Sequence, residues 1–415
     1  MFRRYVEALA NRDYFTLWTA SLTAGAASWA LIVARGWLVF DISHSSFWVG
    51  IVTFSAMTPR LAITPFSGYL SDRFDRRRVL AVMFAVNIGS SLALGVLVMN
   101  GTIETWHLVL LSLINGSAHA AQMQVTQTLI PNMVPKGQIL NAISLHQATV
   151  HGSRLLGPAS IAPLMLVADV EAAFFLCTAF YVVSLVQTLR VRTSSTGVID
   201  SSRGFMSNMA DGLAYVYRER TLRAVVIISI FHCGMTMSIE SLLPVLSQER
   251  LNAQGHATNY LMMAIGAGAL VASLAMAGVH SEATKGKLLL NMGVLSGLSY
   301  ALLGLATNVP LAVFSAVFMG ATQAAFMTIA HAMVQVLTPD GVRGRVAGVY
   351  SVHVGGMMAL SNLANGLLAD HISVQTLLVV GGVGFIVVMF VSWYWATLRQ
   401  IYTAGLKVEP RLATE

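Results

Sequence analysis

Charged residues are scarce in this chain. Asp, Glu, Lys and Arg make up 10% of its 415 residues, whereas hydrophobic residues make up 56%. Soluble domains hold roughly 25% charged residues, and any soluble fold of this length must turn much of its surface toward water. The composition therefore excludes an ordinary soluble domain and favours a protein whose exterior faces lipid.

Cysteines and enzyme motifs are also few or missing. Cys177 and Cys233 lie singly inside apolar runs and form neither a CxxC pair nor a zinc pattern. The sequence has no Walker loop, GxSxG or HExxH motif. We therefore expect no enzyme activity and no cofactor. The first fifteen residues lack an apolar run and a small-residue cleavage site, which argues against a removable signal peptide.

Apolar stretches long enough to cross a bilayer recur twelve times. A spanning helix needs about 20 mainly apolar residues. The predicted spans are 14–41, 47–70, 79–99, 105–130, 142–167, 171–190, 222–248, 256–279, 288–306, 309–337, 345–370 and 373–397. The predicted fold is an all-α membrane protein with twelve transmembrane helices in two pseudo-symmetric six-helix bundles.

The short loops leave room for only one longer connection. The predicted division is an N-terminal bundle at 1–190, a linker at 191–221, a C-terminal bundle at 222–398 and a tail at 399–415. Phe205, Met209, Leu213 and Val216 recur at helical spacing within the linker. This pattern predicts a short amphipathic helix at the membrane surface.

Basic residues are distributed by side of the membrane. Of the 25 Lys and Arg residues, 21 fall in the segments that share a side with the amino terminus, one in an opposite loop and three within spans. Cytoplasmic loops carry the excess of Lys and Arg. We therefore expect a multi-pass protein of the bacterial inner membrane with both termini in the cytoplasm. This distribution also argues against nucleic acid as a partner, despite the net charge of +7.

The two halves resemble each other weakly. Residues 130–142 precede the fifth span and residues 334–346 precede the eleventh, and their prolines, Pro135 and Pro339, align at an offset of 204. Internal repeats of this kind are typical of secondary transporters.

The loop after the second span reads GYLSDRFDRRR. It resembles the signature loop of the major facilitator superfamily, Gly-x-x-x-Asp-Arg-x-x-Arg-Arg. The matching residues, which the resemblance assigns to conformational gating, are Gly68, Asp72, Arg73, Arg76 and Arg77. In the second half, the equivalent loop keeps only Gly278 and some basic residues.

Other stretches resemble one branch of that family. NRDYFTLWTASL, WLVFDISHSSFWVGIVTFSAMTP and TPDGVRGRVAGVYSV are similar to the exporter branch that includes the bacterial enterobactin exporter and macrolide efflux pumps. Gly157-Pro158 matches part of the antiporter motif, Gly-Pro-x-x-Gly-Gly, although Ile161 and Ala162 replace its two glycines. The resemblance implies export and leaves the substrate open.

Polar residues inside the spans mark the predicted site, because buried charges are costly and usually functional. They fall in spans one, two, four, five, seven and ten, whereas spans three, six, nine and twelve have no ionisable residue in their middles. The predicted substrate-binding residues are Arg35, Arg60, Asn115, His119, Gln122, His151, Arg154, Gln323, Met327 and His331. Glu240, with His232 next, is the predicted proton-coupling group.

Each of these residues also has a purely structural interpretation. Arg154 can hold the bundle through helix carbonyls, the histidines and Met327 can simply pack, and Arg35 can neutralise Glu240 in a fixed ion pair. His232, Thr236 and Glu240 follow one another at helical spacing on one face of the seventh span, which predicts a relay toward the cytoplasm.

The function that we predict is a proton-coupled exporter working by alternating access. Three intramembrane arginines against one acid favour an anionic or zwitterionic amphiphile, such as a siderophore-, drug- or lysolipid-like molecule. The expected partners are this small molecule, protons and the bilayer, and the expected state is a monomer. The alternatives are an importer or facilitator of small organic anions and a receptor that has lost transport.

Overall fold

The computed structural model describes residues 7–60, 63, 74–135, 138–193, 205–251, 256–276, 279, 281–338 and 342–405. Twelve transmembrane helices form two six-helix bundles, and the described residues contain no strand. The helices are α1 (Arg12–Ser43), α2 (Ser46–Met57), α3 (Arg76–Met99), α4 (Thr105–Leu129), α5 (Ile139–Ile161), α6 (Val170–Arg190), α7 (Arg220–Met235), α8 (His256–Met276), α9 (Glu282–Leu305), α10 (Val309–Leu337), α11 (Arg343–Ala369) and α12 (Val374–Ser392).

Helices dominate because lipid offers the backbone no hydrogen-bonding partners. Seven described helices are long and apolar enough to cross a membrane by length and composition alone. Polar side chains begin several of them. Asp75 accepts a bond from the Arg77 amide at 2.9 Å at the start of α3, and Asn308 accepts one from the Leu311 amide at 3.0 Å at the start of α10.

The outside of the molecule is apolar. Val82 on α3, Val380 and Val387 on α12 and Leu298 on α9 are all exposed. Buried residues inside the bundles include polar ones, such as Asn87, Gln122 and Gln323. This arrangement is the reverse of a soluble protein and fits a lipid-facing exterior.

The two halves meet along two helix pairs, α2 with α11 and α5 with α8. Gly50 and Gly366 let α2 and α11 approach closely, since a Cβ at Gly50 would lie 2.9 Å from the Gly366 Cα. In the second pair, a Cβ at Gly266 would lie 2.6 Å from the Leu155 amide nitrogen. We call the side where α1 begins and α12 ends the termini end, and the other side the opposite end.

A carboxylate joins the halves at the opposite end. Asp370, directly after α11, accepts bonds from the Ser46 amide at 2.6 Å, the Ser45 hydroxyl at 2.7 Å and the Phe47 amide at 3.3 Å. Ser45 makes no capping bond of its own at the start of α2. Asp370 therefore caps α2 from the other half of the protein.

Two amphipathic helices lie at the termini end. The predicted linker helix is present at Phe205–Arg218, where Asp211 lies 3.5 Å from Arg345 of α11. A second helix at Ala396–Ala404 was not predicted, because the twelfth span was placed across 373–397 with a tail after it. Leu398, Ile401 and Tyr402 are buried, so this helix packs against the bundle.

Candidate functional site

The seventh span is broken in its outer part. α7 ends at Met235, residues 236–242 are not helical, and short helical turns resume at Leu243–Val245 and Leu246–Arg250. The predicted relay along one helical face of His232, Thr236 and Glu240 is therefore wrong, since Glu240 lies in the break. Discontinuous helices commonly form binding sites in transporters.

Side chains from α10 and α11 satisfy the backbone of this break. The Gln323 amide donates to the Thr236 carbonyl, and the Asn365 amide donates to the Ser238 carbonyl at 2.6 Å. The Asn362 carbonyl oxygen accepts from the Ser241 amide at 3.0 Å. Irregular backbone is tolerated at membrane depth only where neighbouring groups provide such bonds.

Glu240 contacts the other half of the protein. Its Oε1 lies 3.4 Å from Nη2 of Arg154 on α5, and its Oε2 accepts a bond from the Asn362 amide at 3.3 Å. The Arg154 guanidinium lies over the Trp29 ring of α1, 4.7 Å from its centroid. A tight charge-assisted bond measures about 2.7–2.9 Å, so this ion pair is stretched.

Arg35 does not pair with Glu240. Its Nε donates to the Leu31 carbonyl at 3.1 Å and its Nη1 donates to the Ser112 hydroxyl at 3.0 Å. The expectation that Arg35 could neutralise Glu240 is thus corrected in this arrangement, and Arg154 is the partner. Sequence spacing missed this pairing because it depends on how α5 of one half packs beside the break that follows α7 in the other half.

A small cavity lies inside the first half, between α1, α2 and α4. Arg35, Arg60, Asn115 and His119 line it, together with the hydroxyls of Ser28 and Thr53. Nε of Arg60 and Nδ1 of His119 are buried without a hydrogen-bond partner among the described residues. Met57 also lines this cavity, and its sulfur lies 3.7 Å from the Asn362 amide that bonds Glu240, so the cavity lies near the ion pair.

Comparison with known proteins identifies the family of this chain. The family model described as "Transmembrane secretion effector" matches residues 6–410. The chain belongs to this family of major facilitator transporters. It is 23% identical to the multidrug efflux pump Tap of Mycolicibacterium fortuitum, over 93% of this chain and 96% of that one. It is 20% identical to macrolide efflux protein A of Streptococcus pyogenes, over 94% and 97% of the two chains.

A third relative is the staphyloferrin A transporter of Staphylococcus aureus, 21% identical over 88% of this chain and 92% of that one. Among solved structures, the inward-open xylose transporter XylE from E. coli superposes with a TM-score of 0.70 at 11% identity, covering 95% of this chain and 99% of that one. The predicted superfamily and the resemblance to efflux pumps are confirmed, and the protein is a transporter rather than an enzyme.

Two predicted substrate-binding residues, Asn115 and Gln122, form hydrogen bonds inside the first half. The Asn115 amide donates to the Asn87 side-chain oxygen at 2.8 Å, and the Asn87 amide contacts the Gln122 side-chain oxygen at 3.4 Å. Asn87 was missed because its span has no ionisable residue in its middle. Asn115 nevertheless lines the cavity as well.

His232 lies inside the second bundle. It is buried, its Nε2 lies 3.0 Å from the Ser296 hydroxyl, and its ring stacks on Phe326 with centroids 4.2 Å apart. Its Nδ1 has no described partner. Among the described residues, no hydrogen bond or ion pair links it to Glu240, so these two predicted coupling residues are not brought together.

The remaining predicted substrate-binding residues lie nearer the termini end or at the interface between the halves. His331 is exposed and its ring faces Tyr350 of α11, 5.6 Å between centroids. Met327 contacts Cys233 at 4.0 Å between sulfur atoms. His151 is half-buried on α5, one helical turn before Arg154. No group of three or more His, Cys, Asp or Glu that could hold a metal occurs among the described residues.

The signature loop, with its predicted gating residues, is described only in part. Gly68, Asp72 and Arg73 lie outside the described residues. Arg76 begins α3, and Nη1 of Arg77 donates to the Val191 carbonyl at 2.7 Å. Arg77 thus joins this loop to the end of α6 within the first half.

Several residues of this site escaped the sequence prediction. Asn362 and Asn365 contact the break, Asp370 contacts the other half, and Trp29 lies against Arg154. The signal available was the pair of amides at 362 and 365, one turn apart in an otherwise apolar span. Their partners are distant in sequence, so only tertiary packing reveals the role.

Proposed function

We propose that this transporter exports a small amphiphile with an anionic or zwitterionic group in exchange for protons. The observation that carries the proposal is the stretched contact between Glu240 and Arg154, which belong to different halves. Any rocking of one half against the other changes this distance. The relatives named as efflux pumps support export as the direction.

The termini end is proposed to be cytoplasmic, in the inner membrane of a bacterium. The 21 Lys and Arg residues on that side support this orientation. Asp370 and the Gly50–Gly366 contact then close the periplasmic side in the described arrangement. A transporter closed there collects its substrate from the cytoplasm, as an exporter must.

The moving units in this proposal are the bundles at 1–190 and 222–398, joined by the linker at 191–221 and followed by the tail at 399–415. The site lies between the two halves of one chain, so a monomer is sufficient. Alternating access then consists of separating α2 from α11 and α5 from α8 at the periplasmic end.

Glu240 is the proposed switch between proton and substrate. A carboxylate at membrane depth is stabilised by a positive partner, and Arg154 provides it. A proton on Glu240 removes its charge and frees Arg154. A substrate that binds beside Arg60 and extends to Arg154 also displaces the carboxylate. Either event breaks the contact between the halves, whereas the empty and ionised site stays locked.

The substrate is proposed to bear a negative group because positive charge is in excess. Arg35, Arg60 and Arg154 lie in the described spans or directly beside them, against Glu240 as the acid. The proposed substrate-contacting residues are Arg35, Arg60, Arg154, His119, His151, Met327 and His331. Gln323 and Gln122 are instead proposed to hold the fold through their buried bonds.

The proposal is tested in inside-out vesicles with an acidic lumen. When carboxylate-bearing amphiphiles are added outside, the protein should transport them into the lumen in exchange for protons that leave it. A pH-sensitive acridine dye reports the loss of protons from the lumen. Matched methyl esters should have no effect. Uptake only into right-side-out vesicles would show an importer instead, and absence of any substrate-dependent proton flux would refute proton exchange.

A further inference from the structure

We propose that the cavity between Arg35 and Arg60, here called the arginine pocket, binds one small monoanionic group such as a carboxylate. The pocket lies within the first half and is lined by Ser28, Arg35, Thr53, Arg60, Asn115 and His119. The inference deepens the proposed function, on which its physiological meaning rests. It assigns the negative end of the substrate to a place separate from the Glu240–Arg154 contact.

The first argument is uncompensated charge. Arginine remains protonated in proteins, and Arg35 is only 2% exposed. Among the described residues, neither Arg35 nor Arg60 forms an ion pair, and Glu240, the acid whose charge acts on Arg60, is already paired with Arg154. A buried charge without a counter-ion is costly, so an anion in the pocket would relieve the cost of two guanidinium groups at once.

The second argument is the set of donors. Arg35 is fixed by its bonds to the Leu31 carbonyl and the Ser112 hydroxyl. Nε of Arg60 and Nδ1 of His119 are buried in the pocket region without described partners. A guanidinium group with a fixed orientation matches the geometry of a carboxylate. One fixed and one unbonded arginine therefore form a clamp that an anion completes.

The third argument is size. The pocket has a volume of about 30 Å³, which corresponds to roughly two water molecules. This space accepts a carboxylate or a chloride ion but not the hydroxyl-bearing carbon that adjoins the carboxylate of a sugar acid. The unbranched apolar body of an amphiphile would leave the pocket toward the interface between the halves, where Arg154 and Trp29 lie.

The experiment measures thermal unfolding of the purified full-length protein against sodium acetate, with sodium gluconate at equal ionic strength as the bulky control. A ligand that binds the folded state raises the midpoint in proportion to its affinity. Acetate should stabilise the wild type and gluconate should not. Arg60→Gln should weaken the apparent acetate affinity about tenfold or more, the effect of losing one charge-assisted bond.

Arg60 is the position of choice because no described carbonyl or hydroxyl depends on it, so its replacement leaves no partner unsatisfied. Arg190→Gln, which removes an exposed arginine at the end of α6, is the matched control and should bind acetate as the wild type does. Glu240→Gln should bind acetate more tightly, because it removes the negative charge beside the pocket. Equal stabilisation of the wild type and Arg60→Gln, or none of either, overturns the proposal.

Competition experiments distinguish two sources of the anion, the head group of a substrate and a free inorganic ion. Displacement of acetate by octanoate but not by octanol assigns the pocket to the head group of a substrate. Displacement by chloride but not by octanoate assigns it to a free inorganic ion. The assay needs no transport, so failure of acetate binding leaves the export proposal intact. A protein that binds acetate but moves no substrate contradicts export alone.

Discussion

Glu240 of the break after α7 and Arg154 of α5 face each other across the two halves of the transporter at 3.4 Å. Asn362 of α11 holds the second oxygen of the same carboxylate at 3.3 Å and the backbone of the α7 break at 3.0 Å. The contact between the halves is therefore fixed on one side by a bonded framework. On the other side it is held by an arginine that rests on Trp29.

The first prediction concerns proton coupling. Glu240→Gln keeps the shape of the side chain but mimics its protonated form, so Arg154 is released permanently. Substrate should still equilibrate down its gradient, while accumulation driven by a pH gradient should be lost. Transport in vesicles with and without an imposed gradient measures both.

Glu249→Gln is the matched control for this experiment, because Glu249 lies on the same segment but is exposed. It should accumulate substrate as the wild type does. Full pH-driven accumulation by Glu240→Gln would end the proposed role of Glu240 and direct attention to the histidines.

The second prediction concerns the break in α7. Asn362→Ala leaves the Ser241 amide and one Glu240 oxygen without their partner. Each buried group left unsatisfied costs about 1–3 kcal/mol, so the free energy of unfolding should fall by roughly 2–5 kcal/mol and transport should be severely reduced. Thermal unfolding and vesicle transport check the two effects.

Asn308→Ala provides the comparison, since it removes a cap at the exposed start of α10. Loss of such a cap costs about 1 kcal/mol, and transport per folded molecule should be unchanged. If Asn362→Ala behaves like Asn308→Ala, the amide does not hold the break.

The third prediction concerns Asp370 at the opposite end. Burial alone would raise the pKa of this carboxyl, but bonds from Ser45, Ser46 and Phe47 outweigh it and hold the pKa below its ordinary value of 3.8. A carboxyl whose pKa is lowered in the folded protein stabilises that state fully at pH values above its ordinary pKa. This stabilisation is lost only as the pH falls through the pKa of the folded state. The contribution of Asp370 to closure at this end should therefore not change between about pH 5 and pH 8.

Asp370→Asn should weaken closure at every pH, because it replaces charge-assisted bonds with neutral ones. Distances between spin labels placed on α2 and α11 at this end should lengthen in the variant. Asp41→Asn, at an exposed acid near the same end, should leave them unchanged. A difference in distance between the wild type and Asp370→Asn that changes within this pH range would contradict the assignment.

The fourth prediction concerns the signature loop. Gly68, Asp72, Arg73, Arg76 and Arg77 remain the proposed gating residues. Asp72→Asn should leave the folded protein largely intact and slow transport, because the loop is proposed to hold the two halves together in one conformational state. The rate of substrate exchange at saturating substrate measures this step.

Asp75→Asn serves as the control within the same loop. Asp75 caps α3 through the Arg77 amide, and Asn caps helices about as well as Asp, so this variant should transport normally. Wild-type exchange by Asp72→Asn would refute the proposed role of the loop.

Local patterns predicted the spans well, because hydrophobicity acts along short stretches of chain. Wherever the chain is described, most of the predicted spans correspond to one helix, but spans two, five and twelve also contain turns, at Thr58, at 162–163 and at 393–395. The linker helix begins at Phe205 as its periodicity indicated. The prediction of a continuous seventh span failed because residues 222–235 are mainly apolar and apolar residues resume at Leu242, soon after Glu240. Its interruption depends on amides more than 80 residues away in sequence.

The sequence by itself determined the membrane location, the number of spans, the family and the identity of the few ionisable residues inside the spans. Hydrophobic length and the cost of burying charge depend only on residue type and neighbours along the chain. The tertiary structure alone decided which of these residues meet. It paired Glu240 with Arg154 rather than Arg35, enclosed His232 in the second bundle and brought Arg60 beside Arg35. Such contacts depend on how helices from two halves pack, and electrostatic interactions at this depth act through space rather than along the sequence.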